Sequence, residues 1–248
     1  MAALAAILQS CVEGLRPDEP LSVAEWSDKY RVLNQRSSAE PGPWRTSRVP
    51  YLRDILDDLS QDSPVERVTF MKSAQVGGTE AGNNWIGYII SHAPGPTMVV
   101  QPTVDLAKRW SRQRLAPMIS DMPILHRRVK ESRARDSGNT VLSKEFDGGI
   151  LIMSGANSAA GLRSMPVKNL MLDEVDAYPY DVDGEGDPVE LARNRLKTFA
   201  RSKELDISTP KACRELRGGM RKATGVGFMF RARRAWKSSR LSSKTCSG

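Results

Sequence analysis

Residues 65–91 read VERVTFMKSAQVGGTEAGNNWIGYIIS, and the fold can be worked out from this stretch. Its first seven residues are rich in Val, Thr and Phe and end at Met71, the composition of a buried strand. A helical pattern runs from about residue 80 to 91, with the helix beginning near Thr79. Between them lies a turn carrying Gly77 and Gly78. A standard phosphate loop, G-x-x-x-x-G-K-[ST], occupies this same position between a strand and a helix. Lys72, Gly77, Gly78 and Thr79 fall on its four signature positions. Gly77 and Thr79 match, Lys72 stands where the first glycine is expected, and Gly78 stands where the lysine is expected.

The chemistry such a loop serves needs backbone N–H groups at a helix N-terminus, a hydroxyl for Mg²⁺, and a lysine to balance phosphate charge. Lys72 can reach the same phosphates from the opening of the loop, and the two glycines permit close backbone approach. A strand-to-helix turn with two glycines is also an ordinary structural element, so this segment alone leaves both readings open.

Outward from the loop, strands are expected at 65–71, 97–101, 149–153, 167–172 and 205–209, each an apolar or β-branched run near Gly, Pro or charge. Helices are expected at 21–30, 50–60, 80–91, 103–119 and 188–202, the last started by Pro188 after Asp187. The alternation describes an α/β chain: a mostly parallel sheet flanked by helices, of the P-loop NTPase type. The Pro and Gly cluster at 41–43 divides an N-terminal helical region, 1–43, from an ATPase-type domain at 44–210, which a basic tail follows at 211–248. DVDGEGDP, 181–188, reads as a loop.

A second segment, VKNLMLDEVD, carries Asp173 and Glu174 at the end of an apolar strand. In a nucleotide site Asp173 would hold Mg²⁺ and Glu174 would polarise the attacking water. An acidic pair opening a loop is ordinary, but this pair follows the loop by about a hundred residues in an alternating chain, which lets the two meet at the sheet's carboxyl edge. QPTVDLAKRW, 101–110, sets a polar strand end before a helix capped by Thr103, as in helicase-type ATPases. LDISTPK, 205–211, sets Ser208 and Thr209 at the end of a late strand, where hydroxyls can sense the γ-phosphate.

The chain has 248 residues, and its 37 basic against 29 acidic side chains give a net charge of +8. Hydrophobic residues make up 40%, enough for a core, so a wholly disordered chain is excluded. No apolar stretch reaches the roughly 18 residues of a membrane span. The opening MAALAAILQSCVEG lacks a basic leader region and reads as an amphipathic helix. Cys11, Cys213 and Cys246 have no metal-type spacing, which suits a reduced intracellular protein. His92 and His126 lack partners at zinc-ligand spacing. The loop beginning at Asp181 has Ala192 where a calcium loop needs a bidentate carboxylate.

Positive charge concentrates at the end. Residues 211–248 hold eleven Lys or Arg against Glu215 alone, which leaves the first 210 residues with 26 basic and 28 acidic side chains. Clustered cations of this kind release counterions from a phosphate backbone and would serve as a DNA-binding arm. The weak periodicity and abrupt start equally suit a disordered extension or an out-of-frame translation.

Taken together, KSAQVGGTEAGNNWIGY, APGPTMVVQPTVDLAKR, GANSAAGLRS, LMLDEVDAYP and ISTP resemble the ATPase half of the large terminase subunit of tailed bacteriophages, GpA type, from about residue 20 to about 210. The lysine displaced to the start of the loop is a feature of that family. The resemblance implies a motor that couples ATP hydrolysis to movement of double-stranded DNA into a procapsid, in the cytoplasm of the bacterial host. Its implied partners are a small terminase subunit, the portal of the procapsid and further copies of itself during packaging, with no membrane. It implies a phosphate loop of Lys72, Ser73, Ala74, Gln75, Val76, Gly77, Gly78 and Thr79, with Thr79 and Asp173 on Mg²⁺. Glu174 would be the catalytic carboxylate, and Ser208 and Thr209 would couple hydrolysis to motion. Arg163 in GLRS resembles an arginine set near the γ-phosphate, although a surface salt bridge serves it equally. Trp44 with Arg45, or Tyr51, would stack on adenine, where core packing is the alternative for both aromatics.

Two expectations concern departures from the family. A large terminase continues into a metal-dependent nuclease, whereas here the family-like sequence stops near Pro210, so no DNA cleavage is expected and a truncated or frameshifted prophage product is suggested. Loss of later strands would also leave the sheet with a bare edge. Two other functions stay open: a helicase-type DNA-dependent ATPase, and an inactive remnant that binds DNA through its tail.

Overall fold

The computed structural model describes residues 19–35, 40–73, 76–130 and 139–209, together with the backbone of 229–234. The first element among the described residues, α1 (Val23–Tyr30), is started by a capping box in which the Ser22 hydroxyl accepts from Glu25 N and the Glu25 carboxylate accepts from Ser22 N. A short antiparallel ribbon, β1 (Val32–Leu33) and β2 (Gly42–Pro43), follows, and two 3₁₀ turns lead into α2 (Arg53–Asp58). Then come β3 (Val65–Met71), α3 (Gly78–Ser91), β4 (Thr97–Gln101) and α4 (Val104–Trp110), which passes through a π turn at Ser111–Leu115 into α5 (Ala116–Asp121). The chain continues through α6 (Pro123–His126), β5 (Ser143–Phe146), β6 (Gly149–Gly155), α7 (Ala159–Leu162), β7 (Asn169–Asp173), α8 (Pro188–Arg193), β8 (Lys203–Ser208) and β9 (Met229–Arg234).

Among the described residues these strands form a seven-stranded sheet in the order β5-β6-β4-β7-β8-β3-β9. All neighbours pair in parallel except β5 with β6 and β9 with β3, at the two edges. Every residue of β4, β7 and β8 is buried, and in β4 and β7 this shows as a nearly unbroken apolar run, whereas β8, KELDIS, buries Lys203, Glu204 and Asp206 in ion pairs and hydrogen bonds. The side chains still alternate between two layers. Val99, Met171, Leu205 and Ile207 pack toward α3, while Met98, Val100, Leu170 and Leu172 pack toward α7 and α8.

The N-terminal helix is a layer of the same core. Val23, Ala24 and Trp26 of α1 are buried in one cluster with Trp85, Ile86 and Ile89 of α3. Gly87 permits this closeness, because a Cβ there would stand 2.4 Å from Trp26 Cη2. Of the Pro and Gly cluster at 41–43, Gly42 and Pro43 form β2 itself, and the chain on either side of it shares one hydrophobic cluster.

Several expectations differ from the structure. The bare sheet edge is filled, since β9, drawn from within the basic tail, pairs antiparallel with β3 from Met71↔Met229 to Val65↔Arg234. The remaining residues of 211–248 lie outside the described residues. The helix expected over 188–202 ends as α8 at Arg193 and relaxes into a 3₁₀ turn, Asn194–Thr198, because the chain must turn back into β8. The helix expected over 103–119 is interrupted by the π turn, whose extra residue per turn rotates α5 relative to α4. Among the described residues no helix is long and apolar enough to cross a membrane.

Candidate phosphate site

Parallel register brings three strand ends together. Met71 lies opposite Ser208, and Ile207 lies opposite Asp173, so β8 stands between the strand that opens the loop and the strand that ends in the carboxylates. Beyond Met71, the Lys72 backbone N–H donates to the Ser208 carbonyl at 3.0 Å and extends the ladder by one residue.

The Lys72 side chain is 6% exposed. Its Nζ donates to Thr209 Oγ1 at 2.7 Å and to Glu174 Oε1 at 3.0 Å, and Thr209 Oγ1 donates to the same Glu174 oxygen at 3.3 Å. A lysine from the loop's opening, the carboxylate after β7 and the hydroxyl after β8 thus close a ring, although 102 and 137 residues separate Lys72 from its two partners.

Gly78 lets the Lys72 side chain lie close against the start of α3. A Cβ at position 78 would stand 2.3 Å from Lys72 Cε and 2.4 Å from Lys72 Cδ. The Lys72 side chain therefore lies across the spot from which a lysine at position 78 would start. Gly77 precedes it with φ +77°, a left-handed conformation suited to glycine, and caps α3 without a side-chain acceptor. The first-turn N–H groups of α3 are left for another acceptor. Tyr51, 38% exposed, donates its hydroxyl to the Val76 carbonyl at 3.1 Å and braces the loop from the side. Ser73 is exposed and Thr79 half-buried, while Ala74, Gln75 and Pro210 lie outside the described residues.

The carboxylate pair is held in two different ways. Glu174 adopts φ 53° and ψ 50°, a left-handed conformation that costs a non-glycine residue about 1 kcal/mol or more. The strain turns its side chain from the path of β7 toward Lys72. Ser208 supports the turn, its Oγ accepting from Asp176 N at 3.0 Å. Asp173 is 3% exposed, and burial pushes its carboxyl above the usual range against the opposing effect of a hydrogen bond from Gln101. That bond runs from Gln101 Nε2 to Asp173 Oδ2 at 3.0 Å, while Asp173 Oδ1 is buried with no partner among the described residues. A buried carboxylate oxygen with an open lone pair fits a cation or its bound water. The first-turn hydroxyl of Thr79 is of the chemical type that would share it.

Two further residues of this neighbourhood escaped sequence reasoning. Gln101 stood in a segment noted only for its polar strand end. Tyr178, partly buried, donates to the Val100 carbonyl at 2.8 Å, and desolvation raises its phenol well above the ordinary value. An invisible partner hid each of them, because only the register of β4 against β7 discloses what they touch.

Other expected site residues lie elsewhere. Trp44 is 6% exposed in the hydrophobic cluster and donates Nε1 to Thr46 Oγ1 at 3.0 Å, so its ring packs in the core and offers no open face to a base. Arg163 follows α7 and pairs with Glu185 Oε1 at 2.8 Å, with half of its side chain exposed. The Asp181 carboxylate closes its own loop by accepting from Gly184 N and Gly186 N, both at 2.8 Å.

Comparison with known proteins finds phage terminases. Terminase large subunits of Enterobacteria phage P21 and Escherichia phage lambda are each 28% identical to this chain, over 77% and 78% of it, and the match covers 30% of either relative. The chain thus spans under a third of the length of these relatives. Among solved structures, the large terminase ATPase domain of Thermus phage P74-26 is similar with a TM-score of 0.44 at 18% identity, over 65% of this chain and 69% of that one. The large terminase of another thermophilic bacteriophage, solved in complex with ADP, gives 0.41 at 17% identity, over 63% and 38%. The family described as phage terminase large subunit gpA, ATPase domain, matches residues 38–240, so the likeness runs 30 residues beyond Pro210 and takes in β9. With more than three quarters of its length inside that match, the chain belongs to the gpA family of phage terminase large subunits, through their ATPase domain.

Proposed function

We propose that this domain binds and hydrolyses ATP and that hydrolysis drives double-stranded DNA into a procapsid. The observation that supports this best is the ring of Lys72, Glu174 and Thr209, which joins a phosphate-type loop, a carboxylate and a hydroxyl from three different strand ends. Each has a part in phosphoryl transfer. Lys72 would neutralise the β- and γ-phosphates from its sheltered position, and the first-turn N–H groups of α3 after Gly77 would cradle them. Glu174 would orient the attacking water by accepting its proton. Mg²⁺, held by Asp173 and Thr79, would supply charge neutralisation of the triphosphate.

Thr209 touches both Lys72 and Glu174, and Ser208 holds the turn that sets Glu174. Loss of the γ-phosphate would change what Lys72 binds, and β8 would carry that change through the coupling pair. Tyr51, on the loop's flank and partly open, is the aromatic left for adenine. Arg163 would reach a γ-phosphate only by leaving Glu185. The DNA, the small terminase subunit, the portal and further copies of the chain are partners of the whole motor, and its work would be done in the host cytoplasm.

Hydrolysis of ATP by the purified chain, measured with and without double-stranded DNA, tests the reading. Turnover that DNA raises and that Glu174→Gln abolishes is expected. Packaging that depends on procapsids bearing a portal separates a packaging motor from a helicase-type ATPase. Absence of nucleotide binding would refute the proposal.

A further inference from the structure

Asp173 and Gln101 end adjacent parallel strands, with Val100 opposite Leu172 just before them. Gln101 is 7% exposed, which confines its side chain, and its backbone is held by the carbonyl accepting from Ala156 N at 2.8 Å. Its Nε2 donates to Asp173 Oδ2 at 3.0 Å. The other oxygen, Oδ1, is buried without a partner among the described residues.

The terminal torsion of an aspartate is broad and nearly two-fold, so a carboxylate with both oxygens free presents either one. A donor fixed to one oxygen removes that choice. We propose that Gln101 is a positioning residue that ties down Asp173 Oδ2 so that Oδ1 alone faces the divalent cation accompanying the nucleotide. This rests on the nucleotide reading above and adds to it the group that orients the cation's carboxylate. Partners one step removed from a cation often matter to its affinity by about 10- to 100-fold, because they select the ligand's orientation. A glutamine that served only packing would leave cation affinity alone.

The test uses the full chain, Mn²⁺ as the cation and a non-hydrolysable ATP analogue, with free Mn²⁺ read by electron paramagnetic resonance. Gln101→Met keeps length and bulk and removes the donor. The half-saturating Mn²⁺ should rise about tenfold or more, while affinity for the analogue in EDTA and the cooperative melt stay as in the wild type. A folded Gln101→Met protein with wild-type Mn²⁺ affinity overturns the proposal. Should that variant fail to melt cooperatively, the Gln101 side-chain amide of the wild type, followed by ¹⁵N nuclear magnetic resonance, replaces it. Those signals should shift when Mg²⁺ joins the bound analogue, and signals that stay still overturn the proposal. A wild-type chain that binds no analogue either with Mn²⁺ or in EDTA overturns the nucleotide reading and this inference with it, whereas analogue binding with no response at Gln101 overturns this inference alone.

Discussion

Replacing Gly78 with alanine should disable the site while leaving the fold intact. The new Cβ would lie 2.3 and 2.4 Å from Lys72 Cε and Cδ, and 3.1 Å from Ile207 Cγ2. Carbon atoms settle at about 3.5–4.0 Å, so the lysine stem must retreat by roughly 1 Å or more. Its Nζ now sits 2.7 and 3.0 Å from Thr209 and Glu174, and a shift of that size carries both bonds past the hydrogen-bonding range of about 3.2 Å. Misplacement of a positioning group by about 1 Å is enough for a loss of order 10²-fold in rate. The fold should tolerate the change, because the yielding atoms belong to a flexible side chain and alanine is favoured over glycine in a helix by up to about 1 kcal/mol. Steady-state ATP hydrolysis and calorimetric nucleotide affinity, set beside the melting midpoint, separate the two effects. The double variant Lys72→Ala with Gly78→Lys removes the obstruction, returns an amino group to the loop from the other stem, and should recover part of the loss that Lys72→Ala shows alone. A Gly78→Ala protein that binds and hydrolyses ATP as the wild type does would refute the idea that the two positions exchange one lysine.

Glu174→Gln should keep nucleotide affinity within a few-fold yet lower turnover by about 10²-fold or more, since shape and hydrogen bonding survive and the proton acceptor does not; wild-type turnover would move that role to another residue. Burial lowers the Lys203 ammonium to about 8, where it donates to the carbonyls of Asp58, Ser63 and Val65. The unfolded chain therefore holds a proton that the folded one has lost between about pH 8 and 10, and stability should rise with pH across that window; in Lys203→Met, melting followed over the same range should lack this rise. Deleting residues 211–248 should strip β3 of its outer partner and promote association through the exposed edge, visible by light scattering; a truncated protein that stays monomeric with an unchanged melt would argue against the pairing.

Much of the sheet is legible in the sequence because a strand buried on both faces leaves an apolar run, as TMVVQ and NLMLD do at 97–101 and 169–173. The edge strands carry no such mark. SKEF at 143–146 is polar and half-exposed, and MFRARR at 229–234 is masked by its arginines. The site divides along similar lines. Lys72, Glu174 and Thr209 stand in motifs whose spacing announces them, and the structure joins them. The bond between Gln101 and Asp173 depends on which strands are neighbours, a fact that no local pattern holds. Trp44 shows the converse, because an aromatic that stacks on a base and one that fills a core look alike until burial is known.

The position of β3 between β8 and β9 has a consequence for how the molecule is made. Arg67 of β3 pairs with Glu204 across 137 residues, and its other neighbour, β9, begins at Met229. At the usual pace of about 5–20 residues per second, a ribosome needs roughly 7–27 s between making β3 and making the strand that flanks it. Throughout that interval the strand leading to Lys72 has neither neighbour, and pairings so distant in the chain form slowly. A nascent chain released before residue 208 has the loop's residues but no site, so nucleotide affinity in arrested chains of increasing length should appear as a step once β8 has been made and not as a gradual rise.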